Sequence, residues 1–586
     1  MQSKINAEEF KVYIQQALDL WHVPGAAVAV IHKGESILCE GYGLRNLAKN
    51  LIVIPETLFP IASCTKAFTS MCLALLIEEG KLDWDKPLRQ YLPSFKLNEP
   101  FVTEHVTPRD LLCHRTGLPR HDMIWYASNF NRREIFDRLQ FLELSKDLRS
   151  AFQYNNLMYM TAGWLVQELT GMSWEVFVQK RIFDVLGMNR SNTSSAQTQQ
   201  DENHSKPYMY RQGALKEIPF YEADGDKVAT GPAGTIVSCV KDLALWLQVH
   251  IHEGKAGEIQ LVSPNQLHEM HKPHMFIDDP QGQKRFGFEF SSYGLGWGLQ
   301  DYKGQVLVQH GGAIDGFGSL VSFMPRYQLG VVVLSNGDRV HNSLPEAVTL
   351  DLFDRWLGFE KTDWNSKFKE LTDEYLAADD RGKAQSAEQR RPIPPSHPIE
   401  AYLGDYSHPG YGIISIRKAG EDLELVMNDK IHMSLEPYHY DIFEATFESQ
   451  DMHSKLSFTT DLQGNIAGFS TQIEPMVKDA FFKRLPDSSL SDPDFLLRFV
   501  GEYDLMGDQL VIVVKDGKLF ASLPGQEHEL VPYQGTEFHI KEMVGFGITF
   551  QLDDKGKCIQ ANLNQPGSVF VAKRLTKENT QPIHGK

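Results

Sequence analysis

The sequence predicts an α+β domain followed by two small all-β barrel domains. Three observations predict this. Strand signals at both ends of residues 1–360 enclose a helical stretch, a charged segment ends in a run of prolines, and the remaining residues contain an internal repeat. At 586 residues and 42% hydrophobic content the chain is too long for one core of ordinary size, and two to four domains are expected.

The elements follow in order. Residues 1–22 read as an amphipathic helix, broken at Pro24-Gly25. Ala26–Ile31 is a short apolar strand, His32–Glu35 a turn, and Ser36 to Gly43 the second strand of a hairpin. From Thr65 to Glu79 apolar residues fall at Phe68, Met71, Cys72, Leu75 and Leu76, which predicts a helix closed by Gly80. Residues 107–190 are mostly helical. From Gly296 to Asn336 several antiparallel strands follow, the clearest at Leu320–Met324 and Gly330–Leu334. One sheet is therefore assembled from both ends of the domain.

The first domain is expected to span 1–360. A linker over 361–397 consists of a charged helix and the stiff segment Arg391-Pro392-Ile393-Pro394-Pro395. Two copies of a β unit follow, at 398–487 and 488–586. Tyr402-Leu403-Gly404-Asp405-Tyr406 matches Phe499-Val500-Gly501-Glu502-Tyr503, Leu435–Tyr438 matches Leu530–Tyr533, and Lys483-Arg484-Leu485 matches Lys573-Arg574-Leu575.

Composition excludes several classes. A formal net charge of −18 argues against non-specific binding to nucleic acid or to an anionic membrane. No stretch approaches the ~18 apolar residues of a membrane span, and residues 1–18 have neither the basic start nor the apolar run of a signal peptide, so a cytoplasmic protein is expected. The six cysteines contain no Cys-x-x-Cys pair, so neither a zinc site nor a disulfide framework is suggested.

Three short motifs carry the chemistry: Ser63-Cys64-Thr65-Lys66, Tyr154-Asn155-Asn156 and His310-Gly311-Gly312. Each is weak alone. Ser-x-x-Lys recurs at Ser238/Lys241 and Ser366/Lys369, and His-x-Gly at His32/Gly34 and His408/Gly410. Context separates them. Ser366 lies in the charged linker, and Ser238 opens a helix, where capping is its expected job. Ser63 stands at the start of an apolar helix, and Lys66, three residues on, shares its face. A serine hydroxyl needs a nearby base, and a lysine serves if burial and positive potential lower its pKa. Tyr154 can hydrogen-bond the Ser63 hydroxyl, and a phenolate forms more easily beside a cationic lysine. Asn156 can hold Lys66 and donate to a substrate carbonyl. His310 ends the apolar strand Val306-Leu307-Val308, and its two glycines admit a ligand to a strand edge that can pair with an extended peptide.

In this order and spacing the motifs resemble the penicillin-binding-protein-like serine hydrolases, which include class C β-lactamases, D-alanyl-D-alanine carboxypeptidases, D-aminopeptidases and related esterases. The similarity extends to Val23–Val30, to Thr107–Pro119, and to Gly231-Pro232-Ala233-Gly234 with Ser238 and Asp242-Leu243, covering residues 8–357. The resemblance implies a β-lactamase-like fold and an acyl-enzyme at Ser63, with Lys66 and Tyr154 transferring protons. It implies substrate binding by Asn156, His310, Gly311 and Gly312, an oxyanion hole from the N–H groups of Ser63 and Ala313, and no need for a metal or organic cofactor. β-Lactamases usually carry lysine where His310 stands, so efficient β-lactam hydrolysis is not expected. The β units resemble lipocalin-like C-terminal domains of some relatives. The expected partner is a small-molecule or peptide substrate, with a homo-oligomer left open. The leading expectation is hydrolysis of small peptides or amides, D-residues included. A carboxylesterase or weak β-lactamase using the same site, and an inactive binding protein, are the alternatives.

Overall fold

The structure is a computed structural model. It describes residues 7–575 apart from 127, 212, 222–227, 281, 283–286, 339–341, 392, 421, 448–451, 524–525 and 542. Residues 1–6 of the first predicted helix and Pro392 of the proline segment thus lie outside the described residues. The chain divides into two compact units. Unit 1 is Met1–Arg391 with Pro409–Tyr411 and Gln472–Asp479, and unit 2 is Pro392–His408, Gly412–Thr471 and Ala480–Lys586.

Unit 1 is built on a nine-stranded antiparallel sheet. Its strands are β1 (Gly25–His32), β2 (Glu35–Asn46), β3 (Leu51–Ile52), β4 (Met275–Ile277), β5 (Ser291–Tyr293), β6 (Gly298–Tyr302), β7 (Gln305–Ile314), β8 (Phe317–Met324) and β9 (Leu329–Ser335). Their order is β4-β5-β6-β7-β8-β9-β1-β2-β3. The β1–β9 pairing, Ala26↔Ser335 through His32↔Leu329, joins the two ends of the domain as the sequence predicts. Both faces of β1 are covered. Ala26, Val28 and Val30 join a core with Phe10 and Ile14 of α1 (Ala7–Leu20), with Trp21 just after it, and with residues of the helix Leu344–Leu357. On the opposite face Val240–Ile251 packs on β1 and β9, with Leu247 against Gly330.

The predicted helix after Ser63 is α2 (Thr65–Glu78), followed by Gly80 at φ 69°. It is buried from Thr65 through Leu76, which explains its weak amphipathicity: a helix apolar all round belongs inside. The charged segment is a helix at Trp364–Gln389, and its Trp364 and Phe368 complete the core beneath α1. Five of the six cysteines are buried and all are free thiols, consistent with use as small hydrophobes. Among the described residues no helix is long and apolar enough to cross a membrane.

Unit 2 contains two closed antiparallel barrels of eight strands each, over residues 404–484 and 501–574. The repeat has a local physical basis. Arg484 on the last strand of the first barrel donates to the carbonyls of Ala401 and Leu403, and Arg574 makes the equivalent bonds to Arg498 and Val500. Tyr406 Oη donates to Tyr402 O and Tyr503 Oη to Phe499 O, so the same aromatic and arginine latch closes each copy. An eight-stranded barrel has an interior that side chains can fill. Rings of Tyr402, Tyr406, Phe458, Phe469 and Phe482 pack together in the first interior, and Phe499, Phe538 and Phe550 in the second.

Candidate active site

Ser63 sits in a single 3-10 turn, Ala62–Cys64, directly ahead of α2, and Ala62 is left-handed at φ 44°. Neither the turn nor α2 has a side-chain N-cap bond, so the Ser63 hydroxyl is not used as a cap. Ser63 is half-buried and lines a cleft of about 500 Å³ together with Arg120, Phe152, Tyr154, Tyr293 and the strand residues His310–Ala313.

Lys66 is fully enclosed one turn into α2. Its Nζ lies 3.1 Å from Ser63 Oγ, 2.7 Å from Asn156 Oδ1 and 3.0 Å from Ala233 O. Burial, reinforced by the charge of Arg120, holds its pKa well below that of a free lysine. Ala233 belongs to the Gly-Pro-Ala-Gly segment singled out in the sequence, which forms a short helix at Gly231–Gly234. Pro232 O accepts from Thr69 of α2, so this segment is docked on the lysine's helix.

The helix carrying Asn156 is α3 (Asn156–Thr170). Its N-cap is Asn155, whose side chain accepts from Met158 N, which leaves Asn156 free for Lys66. Asn156 Nδ2 donates to Asp122 Oδ1 at 3.0 Å, so the carboxylate sets the amide with its oxygen toward the lysine. Arg120 Nε donates to the same carboxylate at 2.6 Å, and the guanidinium stacks 5.2 Å from the Tyr154 ring.

Tyr154 is half-buried at the cleft and hydrogen-bonded to Ser63, with its ring 4.7 Å from Lys66 Nζ. Burial drives its pKa up, outweighing the lowering effect of the Ser63 bond and Arg120. The expectation of an easily formed phenolate is therefore corrected: the aromatic surroundings keep Tyr154 a phenol, and the depressed pKa belongs to Lys66.

His310 also differs in detail from expectation. Its Nε2 accepts from Tyr293 Oη at 2.7 Å, and Nδ1 lies 2.7 Å from Gly311 O. Burial and the nearby Lys66 lower its pKa to about 3, so the ring is neutral. Strand β7 lies inside the sheet rather than at its edge. Yet β6 begins at Gly298↔Gln309, so His310–Ile314 pairs on one side only, with β8, and its other edge opens on the cleft.

Gly312 brings β7 against the Ser63 turn. Ser319 Oγ donates to Ile61 O at 2.7 Å and Cys64 Sγ to His310 O at 3.1 Å. A Cβ on Gly312 would stand 2.2 Å from Ile61 O. Gly312→Ala must therefore push Ala313 away from Ser63. The expected result is a fall of about 10²-fold in kcat/KM, the usual cost of a displacement near 1 Å, checked by steady-state kinetics beside a thermal melt.

All the sequence-predicted site residues thus converge on one cleft or on the lysine behind it. The other Ser-x-x-Lys candidates do not. Ser238 lies in a short strand with its Oγ 2.7 Å from Ser191 Oγ, and the following helix has Cys239 at its N-cap, so the expected capping role is not found. Ser366 Oγ donates to Asp363, which caps the linker helix. Sequence reasoning missed Arg120, Asp122 and Tyr293. The first two stand just beyond the noted stretch Thr107–Pro119, and extending it by three residues would have found them.

The β-lactamase family profile matches residues 10–353, and one described as a domain of unknown function (DUF3471) matches 388–484. The unguisins hydrolase of Aspergillus campestris (strain IBT 28561) is 31% identical over 434 residues, covering 70% of this chain and 77% of its own. The unguisins hydrolase of Aspergillus violaceofuscus (strain CBS 115571) is 29% identical over 436 residues, covering 70% and 76%. Among solved structures, an octameric penicillin-binding protein homologue from Pyrococcus abyssi superposes with a TM-score of 0.52 at 22% identity, covering 82% of this chain and all of that one, a likeness of fold.

Proposed function

The chain belongs to the β-lactamase family of serine hydrolases, and from that premise we propose that it cleaves amide bonds of small peptides through an acyl-enzyme on Ser63. The observation that carries the reading is the set of three oxygens around one buried amine. An ammonium would donate to all three. A neutral amine has two N–H groups and one lone pair. With Asn156 Oδ1 and Ala233 O taking the N–H groups, the lone pair is left facing the Ser63 hydroxyl. That is the arrangement a general base requires.

The reaction then runs as follows. Ser63 Oγ bonds to the substrate carbonyl carbon as its proton passes to Lys66. Charge on the carbonyl oxygen is met by the N–H groups of Ser63 and Ala313. The phenol of Tyr154 supplies the proton that the departing nitrogen needs, and Lys66 restores it. Water cleaves the ester by the same steps in reverse, with Lys66 and Tyr154 again moving the proton. The open edge of His310–Ile314 suits an extended peptide backbone. Two relatives are named as hydrolases of unguisins, which supports a peptide substrate here. The neutral His310 offers no fixed charge to a substrate carboxylate, which counts against β-lactam hydrolysis as the task.

The test is a panel of linear and cyclic peptides and amino-acid amides in L and D forms, with short-chain esters alongside, scored by kcat/KM. Cleavage of at least one amide is expected. Ester turnover with no amide cleaved anywhere in the panel would replace this reading with a carboxylesterase.

A further inference from the structure

Tyr154 belongs to no regular element. It lies in the irregular stretch between Ala151 and the start of α3, where it has no helix or strand pairing of its own. A single residue from a distant loop brackets it instead. Gln153 N donates to His114 O at 2.8 Å, and Asn155 N donates to His114 Nδ1 at 3.0 Å. The main chain of His114 thus holds the residue before Tyr154 and its side chain holds the residue after. Between these bonds the two rings pack with centroids 4.3 Å apart, and Phe152, Tyr159 and Tyr293 close around the imidazole.

His114 is itself held firmly. Thr107 and Asp110 form a capping box on the short helix Pro108–Leu112, and Asp110 also takes Arg115 and Arg149 on either side. His114 adopts a left-handed conformation, φ 58°, which turns its side chain into the molecule. Because Nδ1 accepts a backbone N–H, the ring proton of the neutral imidazole is on Nε2. That atom is buried and finds no hydrogen-bond partner among the described residues. An unpartnered buried donor costs stability, and here it accompanies the one side-chain acceptor that reaches Asn155 N.

We propose that His114 is a positioning residue for the hydrolysis: by accepting the Asn155 N–H it holds the Tyr154 phenol at Ser63. This rests on the assignment of Tyr154 to proton transfer. The burial of His114, with the charge of Arg120 acting in the same direction, lowers its pKa and keeps the ring in the accepting state.

Substitutions separate this role from simple packing. In His114→Asn the amide oxygen occupies the position of Nδ1 and the ring is lost. In His114→Phe the ring is kept and the acceptor is lost. His114→Gly takes the left-handed backbone freely and supplies neither. On the best amide of the panel, H114N is expected to lose less than about tenfold in kcat, while H114F and H114G lose about 10²-fold with KM changed less than threefold. In a Tyr154→Phe background, H114F is expected to cost less than twofold further, because the group it positions has already gone. Thermal melts identify any variant that fails to fold, and H114N against H114G then decides alone. An H114N that loses as much as H114F or H114G, or an H114F whose cost persists in full without the Tyr154 hydroxyl, would overturn the proposal. A Tyr154→Phe enzyme of undiminished activity would instead refute the assignment of Tyr154 on which it rests.

Discussion

Ser63→Ala is expected to bring turnover of every substrate to background while leaving the fold intact. The Ser63 hydroxyl caps no helix and interacts with Lys66 and Tyr154 alone among the bonds described above. Its removal deletes the bonds to Lys66 and Tyr154 but leaves Lys66 with Asn156 Oδ1 and Ala233 O, so the stability change should stay within about 2 kcal/mol, the net worth of two hydrogen bonds. Catalysis has no such reserve, because the hydroxyl is the atom that becomes acylated. Mass spectrometry after treatment with a fluorophosphonate or a penicillin gives the direct readout. Wild-type protein should gain one adduct, on the peptide carrying Ser63, and Ser63→Ala should gain none. Ser238 and Ser366 are controls within the chain. One is buried against Ser191, the other donates to Asp363, and among the described residues neither has a lysine at its hydroxyl. An adduct on either, or activity surviving in Ser63→Ala, would remove Ser63 from the mechanism.

The parts of this architecture that could be read from sequence are those with local causes. The hairpin β1–β2 and the helix α2 follow from periodicity and from glycines at their ends, and the structure places their bounds within one residue of expectation except at the end of β2, which runs three residues past Gly43. The repeat was readable because each copy needs its own aromatic and arginine latch, which forces the same residues to recur at the same spacing. Capping was misread at Ser238. A cap is chosen by backbone geometry of a fraction of a turn, and Ser238 ends in a strand instead. Charge states were the least legible. The resting phenol of Tyr154, the neutral His310 and the depressed Lys66 all arise from enclosure by residues far apart in sequence, Tyr293 and Arg120 among them. Ser-x-x-Lys states which groups meet, and only the packing around them states which one holds the proton.

Replacing Lys66 tests that last point, and the choice of replacement matters. Lys66→Met preserves length and removes the amine. Lys66→Arg preserves a cation that cannot act as a base at any working pH. If Lys66 served as a fixed positive charge beside Ser63, the arginine variant would keep much of the activity. A lysine acting as base predicts instead that both variants fall together, by roughly 10²–10⁴ in kcat/KM. The pH dependence carries the same sign. The amine is competent only above its depressed pKa, so wild-type kcat/KM should fall on the acid side as Lys66 gains a proton, and that limb should be absent from the residual rate of Lys66→Met. Stability supplies an independent check. The unfolded chain binds a proton on this lysine up to its ordinary pKa near ~10.4, while the folded protein resists it, so acidification favours the unfolded state until the folded pKa is reached. Lys66→Met has no such linkage. The difference in Tm between Lys66→Met and wild type should therefore move in favour of the variant as pH is lowered. A difference independent of pH, or an arginine variant that still turns over substrate, would mean that the amine is charged in the folded protein and that the base must be sought elsewhere.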